Sequence, residues 1–130
     1  MLEPSLKHDV VARQIVDAAF AVHSVLGPGL LESVYEQCLA YELEAREIPF
    51  RRQVALPICY RGRRIDAGFR MDMVVCELVV VEVKAVERLL PIHEAQLSTY
   101  LRLSRLQLGL LINFNVILIK QGIRRRINND

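Results

Sequence analysis

The chain is 130 residues and 14.9 kDa, the length of one ordinary domain over residues 1–130, enough to bury about two-thirds of its unfolded surface. With 52% hydrophobic and 25% charged residues, 5 Pro and 6 Gly, it cannot be disordered, collagen-like or low-complexity. The net charge of +2 is unevenly spread, with 3 basic and 8 acidic side chains in residues 1–50 against 14 and 7 in residues 51–130.

A basic region beside an acidic one fits either a polyanion such as nucleic acid or an Arg-rich solvated surface. No stretch of about 18 residues is free of charged or strongly polar side chains, so no membrane span is expected. The start, MLEPSLKHDVVARQ, lacks the basic-then-apolar pattern of a secretory signal. Cys38, Cys59 and Cys76 are odd in number and have no CxxC spacing. They read as reduced core residues of a cytoplasmic protein rather than a disulfide frame or a zinc site.

Apolar residues at Val11, Ile15, Ala18, Ala19, Val22, Val25 and Leu26 predict a helix from Asp9 to Leu26. Gly27-Pro28-Gly29 stops it. A second helix is predicted from Leu30 to Arg46, burying Val34, Cys38, Leu39, Tyr41 and Leu43. The period then changes to two. Strands are expected at Gln53–Tyr60, Arg64–Val75 and Leu78–Ala85, with turns at Arg61-Gly62-Arg63 and Cys76-Glu77. Pro91–Ser104 returns to helical spacing, with Pro91 in its first turn. Leu106–Asn113 and Val116–Lys120 complete the set as strands. The order ααβββαββ implies an α/β fold, a mixed β-sheet flanked by helices.

The chemistry centres on Val79-Val80-Val81-Glu82-Val83-Lys84. A strand this apolar is buried on both faces, and alternation sends Glu82 and Lys84 to the same side. A buried carboxylate must be paired, neutralised or bound to a cation. Glu82 is therefore either an ion-pair partner of Lys84 or a metal ligand. Pairing Val75 with Val79 about the Cys76-Glu77 turn sets Asp72 opposite Glu82. Asp72 could pair with Arg70 or Arg64 instead, but two carboxylates and a lysine also suit Mg²⁺ with its waters and a substrate phosphate. His93, Gln96 and Tyr100 share one face of the following helix and either cover that site or are simple surface polarity.

An Asp, then Glu-x-Lys on the next strand, then a helix carrying Gln-x-x-x-Tyr resembles the PD-(D/E)XK nuclease superfamily. Gly29-Leu30-Leu31-Glu32-Ser33-Val34-Tyr35 is similar to the pattern of the GxxExxY protein family within it. The likeness extends through Gln96-Leu97-Ser98-Thr99-Tyr100-Leu101 and Leu110-Leu111-Ile112-Asn113-Phe114, covering roughly residues 8–127. Met71 stands where the superfamily name has Pro.

The resemblance implies a restriction-endonuclease-like fold and a Mg²⁺- or Mn²⁺-dependent nuclease hydrolysing phosphodiester bonds. Asp72 and Glu82 would be metal ligands, Lys84 the catalytic lysine and Glu32 an extra acidic residue. Gln96 and Tyr100 would support the site or touch substrate. Arg61, Arg63 and Arg64 at the hairpin suit contacts to a DNA or RNA backbone. Arg124-Arg125-Arg126 reads as a basic tail. Four Phe and four Tyr offer no extended stacking platform. The small surface of such a domain is compatible with a homodimer. The rival reading is a non-catalytic module binding nucleic acid or protein on the same fold.

Overall fold

The structure is a computed structural model and describes residues 4–129. Helix α1, Leu6–Leu26, buries Val11, Ile15, Ala18, Ala19 and Val22 and ends at Gly27, whose φ of 67° suits glycine. Helix α2, Glu32–Ala45, follows and buries Tyr35, Leu39 and Leu43. Of its expected core residues, Leu39 and Leu43 are buried, whereas Tyr41 is exposed and Val34 lies at the surface. Of the three cysteines expected in the core, Cys38 and Cys76 are only half-buried against it and Cys59, on the small hairpin, is exposed.

The strands are β1 Phe50–Ala55, β2 Ile58–Tyr60, β3 Arg63–Ile65, β4 Arg70–Val75 and β5 Val79–Lys84. Helix α3, Pro91–Ser104, carries the chain over to β6, Leu108–Asn113, and β7, Ile123–Ile127, closes the fold. One sheet runs β1-β4-β5-β6-β7 and a separate hairpin joins β2 to β3. Only β5 and β6 are parallel, as the α3 crossover requires; the other neighbours are antiparallel.

The sheet separates two cores. Val75, Val79, Val81, Val83 and Leu110 pack with α1 and α2, while Val74, Val80 and Leu111 pack with Leu97, Tyr100 and Leu101 of α3. Central strands covered on both sides explain why β5 is almost uninterruptedly apolar.

Three expectations need correction. The strands expected at Gln53–Tyr60 and Arg64–Val75 are each broken, at Leu56-Pro57 and at Asp66–Phe69. Proline cannot donate to a ladder, and Gly68 has a φ of 79°. The pieces beyond the breaks form the β2–β3 hairpin. No strand forms at Val116–Lys120; that stretch is loop leading into a 3₁₀ turn at Ile119–Gly122. Arg124-Arg125-Arg126 is the body of edge strand β7 rather than a tail. Its side chains reach Gln121 O, Asp9 and Ser98 respectively, and charge on an edge discourages further pairing.

Candidate metal and phosphodiester site

The turn at Cys76-Glu77, with both φ values positive, belongs to a three-residue connection, 76–78, closed by the Leu78 N–H donating to Val75 O at 3.0 Å. It fixes Val75↔Val79, Val74↔Val80 and Met73↔Val81. One step further Asp72 comes opposite Glu82, as expected, and there the ladder stops. The Asp72 N–H donates to Glu82 Oε2 at 2.8 Å, and the Val83 N–H donates to Asp72 Oδ2 at 2.8 Å. Each carboxylate thus spends one oxygen on the opposite strand. Asp72 Oδ1 and Glu82 Oε1 have no hydrogen-bond partner among the described residues.

The other neighbour of Asp72 is also withdrawn. In β1, Arg52↔Met73 and Val54↔Met71 flank Gln53, which would pair with Asp72 but has a φ of 50°. A left-handed non-glycine residue costs about 1–2 kcal/mol. Glu36 holds it there, accepting hydrogen bonds from Gln53 Nε2 at 3.0 Å and Arg52 Nε at 3.1 Å. Alternation is lost at the same point, since Met71 joins the α3 core and Met73 the α1/α2 core. Glu36 and Gln53 were missed from the sequence. The only signal was an acidic residue beside the Tyr35 of the helix motif.

Glu82 is buried, and its pKa is pushed up to about 8 by burial first and by the nearby Asp72 second. Burial likewise raises Asp72, helped by Glu36 and Glu32, against the Val83 amide and Lys84. Lys84 is half-buried and forms no ion pair within 4.0 Å of any described residue. The Glu82–Lys84 ion pair is therefore not formed, although the ammonium does favour both carboxylates. Arg70 and Arg64 do not pair with Asp72 either: Arg70 bonds Gln53 O and Arg64 bonds Asp66. Beyond Lys84, buried Asn113 pins the strand end through Val86 N and O.

Glu32 opens α2 and lies within electrostatic reach of both carboxylates. Its neighbours in the motif explain its placement. Tyr35 Oη donates to Gly27 O at 2.6 Å and accepts from Leu30 N at 3.1 Å, clamping the turn before the helix. The Tyr35 ring stacks on Phe114 with centroids 4.7 Å apart. Gly29, at a φ of 99°, donates to Asn115 Oδ1 at 3.0 Å.

On α3, Tyr100 is 7% exposed, and burial, Glu82 and Asp72 all raise its pKa. Gln96 lies one turn earlier and lines the same groove as Tyr100. His93 instead accepts the Leu90 N–H at the helix start, a capping contact. The hairpin arginines stand apart on β2–β3: Arg61 lies over the Tyr60 ring at 5.6 Å, and Arg64 pairs with Asp66 in the open.

Among the described residues no three His, Cys, Asp or Glu side chains converge as a self-sufficient metal cluster. The donor set is two carboxylates, each with an oxygen left over and both penalised when charged. That set fits a hard divalent cation of the Mg²⁺ kind, which keeps several waters and needs only one or two carboxylates beside a phosphate. It does not fit a softer metal wanting His or Cys.

Two carboxylates and an unpaired lysine at the parting of two strands in a mixed sheet are an arrangement suited to phosphoryl chemistry. A family model described as the PD-(D/E)XK nuclease superfamily matches residues 9–126. The chain belongs to that superfamily, and its α/β architecture is restriction-endonuclease-like. No curated protein and no solved structure matches it. Among the described residues no helix is long and apolar enough to cross a membrane.

Proposed function

We propose that this protein is a divalent-metal-dependent phosphodiesterase acting on nucleic acid, with Asp72 and Glu82 holding Mg²⁺ or Mn²⁺. The observation that carries this reading is the fork itself. The Asp72 and Val83 amides donate to Glu82 and Asp72 respectively at 2.8 Å, each carboxylate keeps one oxygen available, and Lys84 forms no ion pair with a described residue. A cation bound there would polarise the phosphate and make water easier to deprotonate.

The chain's own residues divide the remaining work. Lys84 would offer its ammonium to the charge that builds on the phosphoryl oxygens, in a site dry enough to strengthen that interaction. Glu32 would receive a proton or orient water from the α2 side. Gln96 and Tyr100 would position substrate from α3. Arg61, Arg63 and Arg64 would contact the backbone farther out.

The test is cleavage of end-labelled single-stranded DNA, duplex DNA and RNA with Mg²⁺ or Mn²⁺. Wild type should cut at least one of them. Lys84→Ala should lose about 10²–10³ in rate while still folding. A wild type that binds these polymers and cuts none with either metal would leave the non-catalytic binding module instead.

A further inference from the structure

Beside the candidate site lies a groove of about 300 Å³ between α3 and the base of the β2–β3 hairpin. Leu56, Ile58, Phe69, Ala95, Thr99 and Leu103 make its body, and Gln96 and Tyr100 line it too. Phe69 is 44% exposed and Leu103 37% exposed, so the apolar surface is open to solvent. Neither the Gln96 amide nor the Tyr100 hydroxyl has a hydrogen-bond partner among the described residues. Tyr100, which lies within electrostatic reach of Glu82 and Asp72, links the groove to the candidate site.

The hairpin register decides what sits at the other end. Ile58↔Ile65 and Tyr60↔Arg63 are paired, with Cys59↔Arg64 between them. Directly paired side chains share a face and successive ones alternate. Tyr60 and Arg63 therefore lie on the face of Ile58, the groove side. Arg64 lies on the opposite face, where it borders a different hollow with Asp66, its ion-pair partner. Arg63 forms no ion pair with a described residue.

A ligand matching this surface has a flat apolar body, a polar edge for Gln96 and Tyr100, and an anionic flank for Arg63. We infer that the groove seats the base of an unpaired nucleotide next to the scissile phosphate, which makes single-stranded nucleic acid the substrate class. A base within a duplex is stacked and paired, and reaches such a groove only by being extruded. One seated base also needs no extended aromatic platform. The inference deepens the function proposed above and rests on its nucleic-acid reading.

The test is fluorescence anisotropy in EDTA with labelled dT12, an abasic 12-mer of equal charge and a 12-base-pair duplex. The abasic 12-mer should bind about tenfold or more weakly than dT12, in line with the worth of one stacked base, and the duplex should bind no better than the abasic strand. Ala95→Trp, at an exposed position on the groove wall, should bring dT12 down to the abasic affinity. Arg63→Ala should weaken dT12 and the abasic strand alike and lower the salt dependence by about one phosphate contact. Equal wild-type affinity for dT12 and the abasic strand overturns the inference without needing any variant to fold, as does tighter binding of duplex. Because metal is absent, failure here is distinct from failure of the nuclease reading. A protein that prefers dT12 but cuts nothing with Mg²⁺ keeps the groove and loses the enzyme.

Discussion

Asp72 and Glu82 are bound to each other's strands: the Asp72 amide donates to Glu82 Oε2, and the amide after Glu82 donates to Asp72 Oδ2, each at 2.8 Å. Side chains have replaced the backbone ladder at the one step where two carboxylates face each other. Those two amides supply part of the compensation that water would otherwise give two crowded charges.

That compensation is incomplete for Glu82, whose pKa is pushed up to about 8 from 4.5. A carboxyl that holds its proton more tightly in the native state stabilises the fold fully below its unfolded pKa. That contribution is lost as pH rises through the folded pKa. The metal-free protein should therefore lose stability between about pH 4.5 and 8, by at most about 1.4 kcal/mol per pH unit for this group. Asp72 is shifted in the same direction and adds to the trend. Glu82→Gln should flatten the profile. Denaturant melts across this range check it, and a wild-type stability that rises with pH would contradict it.

Lys84 makes no ion pair with a described residue. Lys84→Met should cost less than about 1 kcal/mol, the scale of a weak exposed pair. A loss of about 3–5 kcal/mol would instead reveal a structural partner of a buried carboxylate. Thermal melts at fixed pH distinguish the two.

Glu36 is 6% exposed and gathers Gln53 and Arg52. Glu36→Ala should cost about 1–3 kcal/mol, discounted because Arg52 is 39% exposed and can be rehydrated. It should also shift the Asp72 and Val83 amide proton resonances as Gln53 relaxes from its left-handed conformation. Glu36→Gln, which keeps an acceptor, should recover part of both. Unchanged amide resonances in Glu36→Ala would separate Glu36 from the fork.

Tyr35→Phe removes the hydroxyl that bridges Gly27 O and Leu30 N while leaving the stack on Phe114. The expected cost is about 1–2 kcal/mol, with faster hydrogen exchange at the Leu30 amide. Exchange at wild-type rates would mean that the turn stands without the clamp.

Several of these features were legible in the sequence for local reasons. Period-3.6 stripes mark α1, α2 and α3, and pairing Val75 with Val79 about the Cys76-Glu77 turn brings Asp72 to Glu82. The long strand assignments failed because Pro57 and Gly68 interrupt runs whose apolar alternation continues on either side. Strand β7 looks like a tail in the sequence because three consecutive arginines mask an edge whose outer side faces water. The left-handed Gln53 was invisible for a different reason. Its conformation depends on Glu36 from another element, and no spacing rule connects residues brought together only by the finished fold.

The central claim, that Asp72 and Glu82 form a cation site, is tested most directly by calorimetric titration of Mn²⁺ into the wild-type protein and into Asp72→Ala. Titration needs no substrate and no assumption about which polymer is cut. Wild type should bind the cation at a single site, and Asp72→Ala should lose that binding while remaining folded by circular dichroism. A wild type that takes up no Mn²⁺, or a folded Asp72→Ala protein that binds it as well as wild type, would contradict the account.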